Sequence, residues 1–204
     1  MISSLTSVLI LGFILGIKHS IEPDHVIAVS TIASETKKWW RSSLAGVFWG
    51  IGHTLTLFIV GMIVILMKGE IPEAWAIAME FLVGVMLVYL GFKSVWMIRK
   101  HSDLHEKSKH APFIKSTAIG FVHGLAGSAA MVLLTMSSVT TIGEGALYML
   151  VFGAGTVIGM LGFTTIIGIP FVLSKNKVKI NNNLTRLTGV VSMLFGVYYM
   201  YSVW

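Results

Sequence analysis

The chain has 204 residues, 55% hydrophobic and only 12% charged, with a mean hydropathy of +0.83. A soluble domain carries about twice that charged share, so a water-soluble fold is excluded. The net charge of +6 comes from basic residues in short segments between apolar runs, which fits membrane orientation and argues against a nucleic-acid partner.

The apolar runs predict an all-α, polytopic integral membrane protein with six transmembrane helices at about residues 5–27, 44–67, 74–98, 116–139, 146–173 and 184–203. The first run lacks a basic flank and a small-residue cleavage site, so it reads as a retained helix and not a signal peptide. The linkers are "SETKKWWRS", "KGEIPE", "RKHSDLHEKSKHAPFIK", "TTIGEG" and "SKNKVKINNN". Lysine and arginine gather in the first, third and fifth, which places those linkers in the cytoplasm and both termini outside. Trp39, Trp40, Trp75, Trp96, Tyr198, Tyr199, Tyr201 and Trp204 fall at span ends, as interfacial aromatics do.

The chain also resembles itself. "LGFILGIKHS" from Leu11 aligns with "IGFVHGLAGS" from Ile119, matching Gly12 with Gly120, Gly16 with Gly124 and Ser20 with Ser128. "WGIGHT" from Trp49 aligns loosely with "FGAGTV" from Phe152, and the Gly84–Gly91 spacing repeats in Gly189–Gly196. Three spans per half is an odd number, so the halves run in opposite senses, as in the inverted repeats of secondary transporters. The expected organisation is one transmembrane domain, 1–204, with half-repeats at about 1–100 and 112–204 joined by a basic, histidine-containing cytoplasmic loop, 99–115.

The first span contains "GIKHSIEPDHVIAV", where Lys18, His19, Glu22, Pro23, Asp24 and His25 crowd together. Charged groups at that depth cost a few kcal/mol each and mark function. On an intact helix, Asp24 and His25 lie about 140° and 240° around from His19, so the three diverge. Pro23 cannot donate to the carbonyl of residue 19 and crowds it, which predicts an opened helix able to aim all three at one point and to expose that carbonyl. Imidazole with carboxylate suits a divalent transition metal such as nickel, cobalt or zinc. The bland alternative is a buried cluster in which Lys18 and Glu22, four apart, neutralise each other.

His53 in the second span and His123 in the fourth lie about 15 Å and 11 Å from the cytoplasmic face, near the roughly 12 Å of His19. His19, Asp24, His25 and His53 are therefore the candidate metal site, with His123, Glu22 and Ser128 as secondary candidates. His101, His105 and His110 in the third linker read as a solvated, lysine-rich segment before a metal site.

These segments resemble the nickel/cobalt transporter family. "GIKHSIEPDHVIAV" is similar to its His-x4-Asp-His signature, "GVFWGIGHTLTL" to its second segment and "FVHGLAGSAAMVLL" to its third. The six-span length resembles the short, urease-accessory-type nickel transporter branch. The resemblance implies uptake of nickel or cobalt across the cytoplasmic membrane through His19, Asp24, His25 and His53. It implies cytoplasmic metallochaperones or urease maturation proteins as partners, and the cation as cargo with no cofactor. Longer family members carry acidic residues where this chain has Ser128 and Met160, so a second acidic station is missing here.

The sequence holds no GxxxxGK[ST] phosphate loop. A divalent cation moving inward down about 100 mV gains about 4.6 kcal/mol, enough for more than a roughly thousandfold accumulation. Two rivals remain: an intramembrane metal-dependent hydrolase with Glu22 as base, and a non-transporting accessory protein for metallation. A thiol relay is excluded, because the chain has no cysteine.

Overall fold

The computed structural model describes residues 2–36, 38–67, 71–98, 111–139 and 141–204. All regular structure among them is helical: α1 (Ile2–His19), α2 (Pro23–Ser34), α3 (Trp39–Met67), α4 (Glu73–Ile98), α5 (Ala111–Ser138), α6 (Ile142–Leu173) and α7 (Val178–Val203). The segment with His101, His105 and His110 lies outside the described residues. Helices α3, α4 and α6 are long and apolar enough to cross a bilayer, and α1 with α2, bent by 55° at their junction, makes a fourth such unit.

The span expected at 5–27 is thus two helices. Pro23 is the first residue of α2, preceded by Glu22 in extended backbone (φ −63°, ψ 147°). A residue before proline is driven out of the helical region, and proline is at home at a helix start, where its missing N–H is not needed. The second helix then continues to Ser34, past the expected span end at 27 and up to the first residue of the expected linker.

The starts of α3, α5, α6 and α7 also come four to six residues earlier than expected. Helix α6 starts at Ile142 because Thr141 and Glu144 form a capping box, each side chain accepting from the other's backbone N–H. Helix α7 starts at Val178, so "VKINNN" is helical; Asn181 Nδ2 donates to the Phe171 carbonyl at 3.1 Å and to Ser174 Oγ at 3.0 Å, closing the end of α6.

Packing is arranged around glycines that admit a neighbouring backbone. A methyl on Gly16 would overlap the carbonyl of Phe152, one on Gly12 the ring of Tyr148, and one on Gly155 the carbonyl of Phe13, so α1 lies directly on α6. In the same way Gly120 and Gly124 of α5 face the carbonyls of Trp49 and His53 on α3. Between α4 and α7, Gly84 faces Gly196 and Gly91 faces Gly189. Thr156 Oγ1 donates to the Gly16 carbonyl at 3.2 Å, and Ser192 Oγ to that of Leu87 at 2.7 Å, tying each pair across its contact.

Large apolar side chains such as Ile10, Leu55, Phe92, Ile166 and Leu194 face outward, while Ser20, His25, His53, His123 and Thr156 are buried. An apolar exterior around a polar centre suits lipid as solvent. Trp49, Val29, Val83, Leu87 and Met160 form the apolar packing beside that centre.

Candidate metal centre

His19 is the last residue of α1, while Asp24 and His25 stand in the first turn of α2. Asp24 there faces the positive end of the α2 dipole, which favours its carboxylate. His53 comes from mid-α3 and His123 from α5. The break between α1 and α2 turns these side chains toward one point. His25, His53 and His123 are 2%, 0% and 1% exposed.

Each contact fixes which nitrogen is free. His25 Nδ1 lies 2.9 Å from Asp24 Oδ1, and His123 Nε2 lies 2.8 Å from Asp24 Oδ2, so Asp24 spans two histidines. His19 Nδ1 lies 2.9 Å from Glu22 Oε2. His19 Nε2 and His53 Nε2 approach to 3.0 Å. A carboxylate only accepts, so the nitrogen facing it carries the proton and the opposite nitrogen of that ring carries a lone pair. His25 Nε2, His53 Nδ1 and His123 Nδ1 are buried with no hydrogen-bond partner. Such orphaned polar atoms are costly unless something binds them.

Two groups of three side chains have donor atoms within 4.8 Å of one another: His19, His25 and His53, and Asp24, His25 and His123. His25 belongs to both. Its ring lies 4.4 Å from that of His19 and 4.4 Å from that of His123, centre to centre.

All five of His19, Asp24, His25, His53 and His123 therefore meet. Glu22 joins through His19 and not through the expected pair with Lys18, which is exposed and makes no ion pair with it. The carbonyl of His19 is not left bare as expected; the Glu22 N–H, next in line once Pro23 offers none, donates to it at 3.1 Å. Ser128 is in α5, and its side chain lies outside the described residues.

Two aromatic residues of the centre escape sequence reasoning. Trp49 stacks on His53 at 5.0 Å with 9° between the planes, and Phe152 lies 5.4 Å from His19. The four-residue spacing from Trp49 to His53 is a signal for one helix face. Phe152 carries no comparable signal.

An apolar outside around three buried imidazoles and a half-buried fourth, two of them on one carboxylate, has the build of a multi-pass membrane protein with a polar centre. Comparison with known proteins narrows the class. A family model described as high-affinity nickel-transport protein, NicO, matches residues 5–118, which contain His19, Asp24, His25 and His53. The chain is 57% identical to urease accessory protein UreH of Bacillus sp., over 98% of this chain and 92% of that one. It is 28% identical to a putative nickel/cobalt efflux system of Methanocaldococcus jannaschii, over 93% and 90% of the two chains. It is also 28% identical to the chloroplast protein FOR GROWTH AND FERTILITY 1 of Arabidopsis thaliana, over 91% of this chain and 56% of that one. No solved structure matches the chain. The chain belongs to the NicO nickel-transport family, a family of transport proteins and not of enzymes.

Proposed function

We propose that this protein carries Ni2+, with Co2+ as a second cargo, inward across the cytoplasmic membrane as a secondary transporter. The cation rests among His19, Asp24, His25 and His53, with His123, Glu22 and Ser128 in support. The nickel delivered would serve urease or another nickel enzyme through cytoplasmic maturation proteins; the urease accessory name of the Bacillus relative favours this.

One observation carries the reading: His19 Nε2 and His53 Nε2 stand 3.0 Å apart beside the unpartnered Nε2 of His25. Three imidazole nitrogens gathered this closely are a donor set that suits a divalent transition metal.

We read the fold as six spans, counting the bent pair α1–α2 as the first, in two halves, 1–100 and 112–204, of opposite sense. The glycine contacts support this. Exchanging α4 with α7 turns the Gly84–Gly196 contact into Gly189–Gly91, the second one present. Likewise, Gly12 on Tyr148 and Gly16 on Phe152 are answered by Gly120 on Trp49 and Gly124 on His53. That pairs Trp49 with Tyr148, four residues from the register in which "WGIGHT" aligns with "FGAGTV". The basic linkers orient both termini outward.

The test is nickel uptake into proteoliposomes under an imposed inside-negative potential, without ATP. Saturable accumulation that collapses with the potential is expected. Flux only out of vesicles would reverse the direction, and no flux under either sign of potential would end the transport reading.

A further inference from the structure

We infer that Asp24 and Glu22 are not ligands of the cation but positioning residues, and that the ion is held by the three Nε2 atoms of His19, His25 and His53. The inference rests on the transport reading above and divides the labour within that site.

The contacts of the two carboxylates support it. Both oxygens of Asp24 are engaged, Oδ1 by His25 Nδ1 at 2.9 Å and Oδ2 by His123 Nε2 at 2.8 Å. Glu22 Oε2 is likewise engaged by His19 Nδ1 at 2.9 Å. Each carboxylate thus keeps the proton of its histidine on Nδ1 and leaves the lone pair on Nε2, the tautomer that binds metal through Nε2. In His19 that nitrogen is the one facing His53, and in His25 it is the buried nitrogen without a partner. Within the group Asp24, His25 and His123, the carboxylate is shared between the two rings and holds His25 in place. His123 serves as the anchor of Asp24.

The arrangement also balances charge. Two carboxylates one shell out offset the two charges of the cation at a depth where an uncompensated charge is expensive. An all-imidazole first shell disfavours Mg2+ and Ca2+, which prefer oxygen. A carboxylate ligand would weaken that discrimination.

The sequence makes a direct test possible, because Asp24 and Asp103 are the only aspartates in the chain. Protein labelled with 13C-aspartate, in a D103N background, reports the Asp24 carboxylate alone by difference infrared spectroscopy. Adding Ni2+ should leave the splitting between its two carboxylate stretches unchanged. X-ray absorption on the nickel-loaded protein should count three imidazoles in wild type, Asp24→Asn and His123→Ala, but two in His25→Ala. Asp24→Asn should lose affinity by about 10- to 100-fold, the usual effect of removing such a partner. A nickel-dependent change in the Asp24 splitting, or a different imidazole count in Asp24→Asn, would overturn the inference while leaving transport intact. Absence of saturable Ni2+ binding by wild type would instead overturn the transport reading and this inference with it.

Discussion

Adding one methyl group at Gly16 should damage the candidate metal centre without touching any of its side chains. Gly16 lies one turn before His19, and its Cβ would fall on the Phe152 carbonyl oxygen, 2.9 Å from that carbonyl carbon and 3.0 Å from Thr156 N. These are backbone atoms of a helix and cannot turn aside. An ordinary carbon–oxygen contact is about 3.3 Å or more, so α1 must move off α6 by more than roughly 1 Å. Overpacking of this kind costs about 1–3 kcal/mol. The displacement also strains the 3.2 Å bond from Thr156 Oγ1 to the Gly16 carbonyl, worth about 1 kcal/mol. His19 moves with α1, and its 3.0 Å approach to His53 opens. Binding constellations tolerate about 0.5 Å of misplacement, so Gly16→Ala should weaken nickel affinity by at least about tenfold, or about 1.4 kcal/mol. Gly162→Ala on α6, where a Cβ meets nothing within 4 Å, is the control. That change should leave affinity alone and gain up to about 1 kcal/mol of helix propensity. Calorimetric titration of Ni2+ into the detergent-solubilised variants, with thermal unfolding alongside, reads both effects. If Gly16→Ala bound nickel as tightly as Gly162→Ala, the close packing of α1 on α6 would not be what positions His19.

Pro23→Ala restores an amide donor at the break and should straighten the 55° bend in part. Nickel affinity should drop with little change in insertion; an unchanged affinity would mean that packing alone holds the bend. Protons and metal compete for imidazole, so binding is strongest where the histidines are neutral and should weaken as they are protonated at falling pH. Affinity that did not fall at any acid pH at which the protein stays folded would exclude histidine ligation. A cysteine at Gly143 should react with an impermeant thiol reagent from outside, while one at Asn176 should be shielded until the membrane is opened. The opposite labelling pattern would invert the proposed topology.

Much of this centre is legible in the sequence because ionisable groups stand out in an apolar chain. His19, Asp24 and His25 beside Pro23 announce a break, and the break is there, since pre-proline backbone restriction acts locally. His53 is legible by its depth alone. The bond from His123 to Asp24 is not, because it joins residues 99 positions apart and depends on how closely α5 approaches α3. Gly120 and Gly124 mark a close-packing face in the sequence without naming the partner helix. Two of the helix boundaries that differ from expectation, at the starts of α6 and α7, lie where side-chain bonds form, Thr141 with Glu144 and Asn181 with Phe171, in stretches where polarity suggested linker. The role of Glu22 was hidden too: four-residue spacing pointed to Lys18, whereas the broken helix turned its carboxylate to His19.

The indole stacked on His53 has an optical consequence. Of the six tryptophans in the chain, Trp39, Trp40, Trp75, Trp96 and Trp204 are exposed, whereas Trp49 is fully buried. Its ring centre lies 5.0 Å from that of His53 and 4.9 Å from that of His25. An open-shell ion bound by those two imidazoles would quench the emission of Trp49 and leave the five others bright. The protein thus carries its own fluorophore beside the proposed cation site. Loading and unloading of the centre can then be followed in real time through the intrinsic light of one residue.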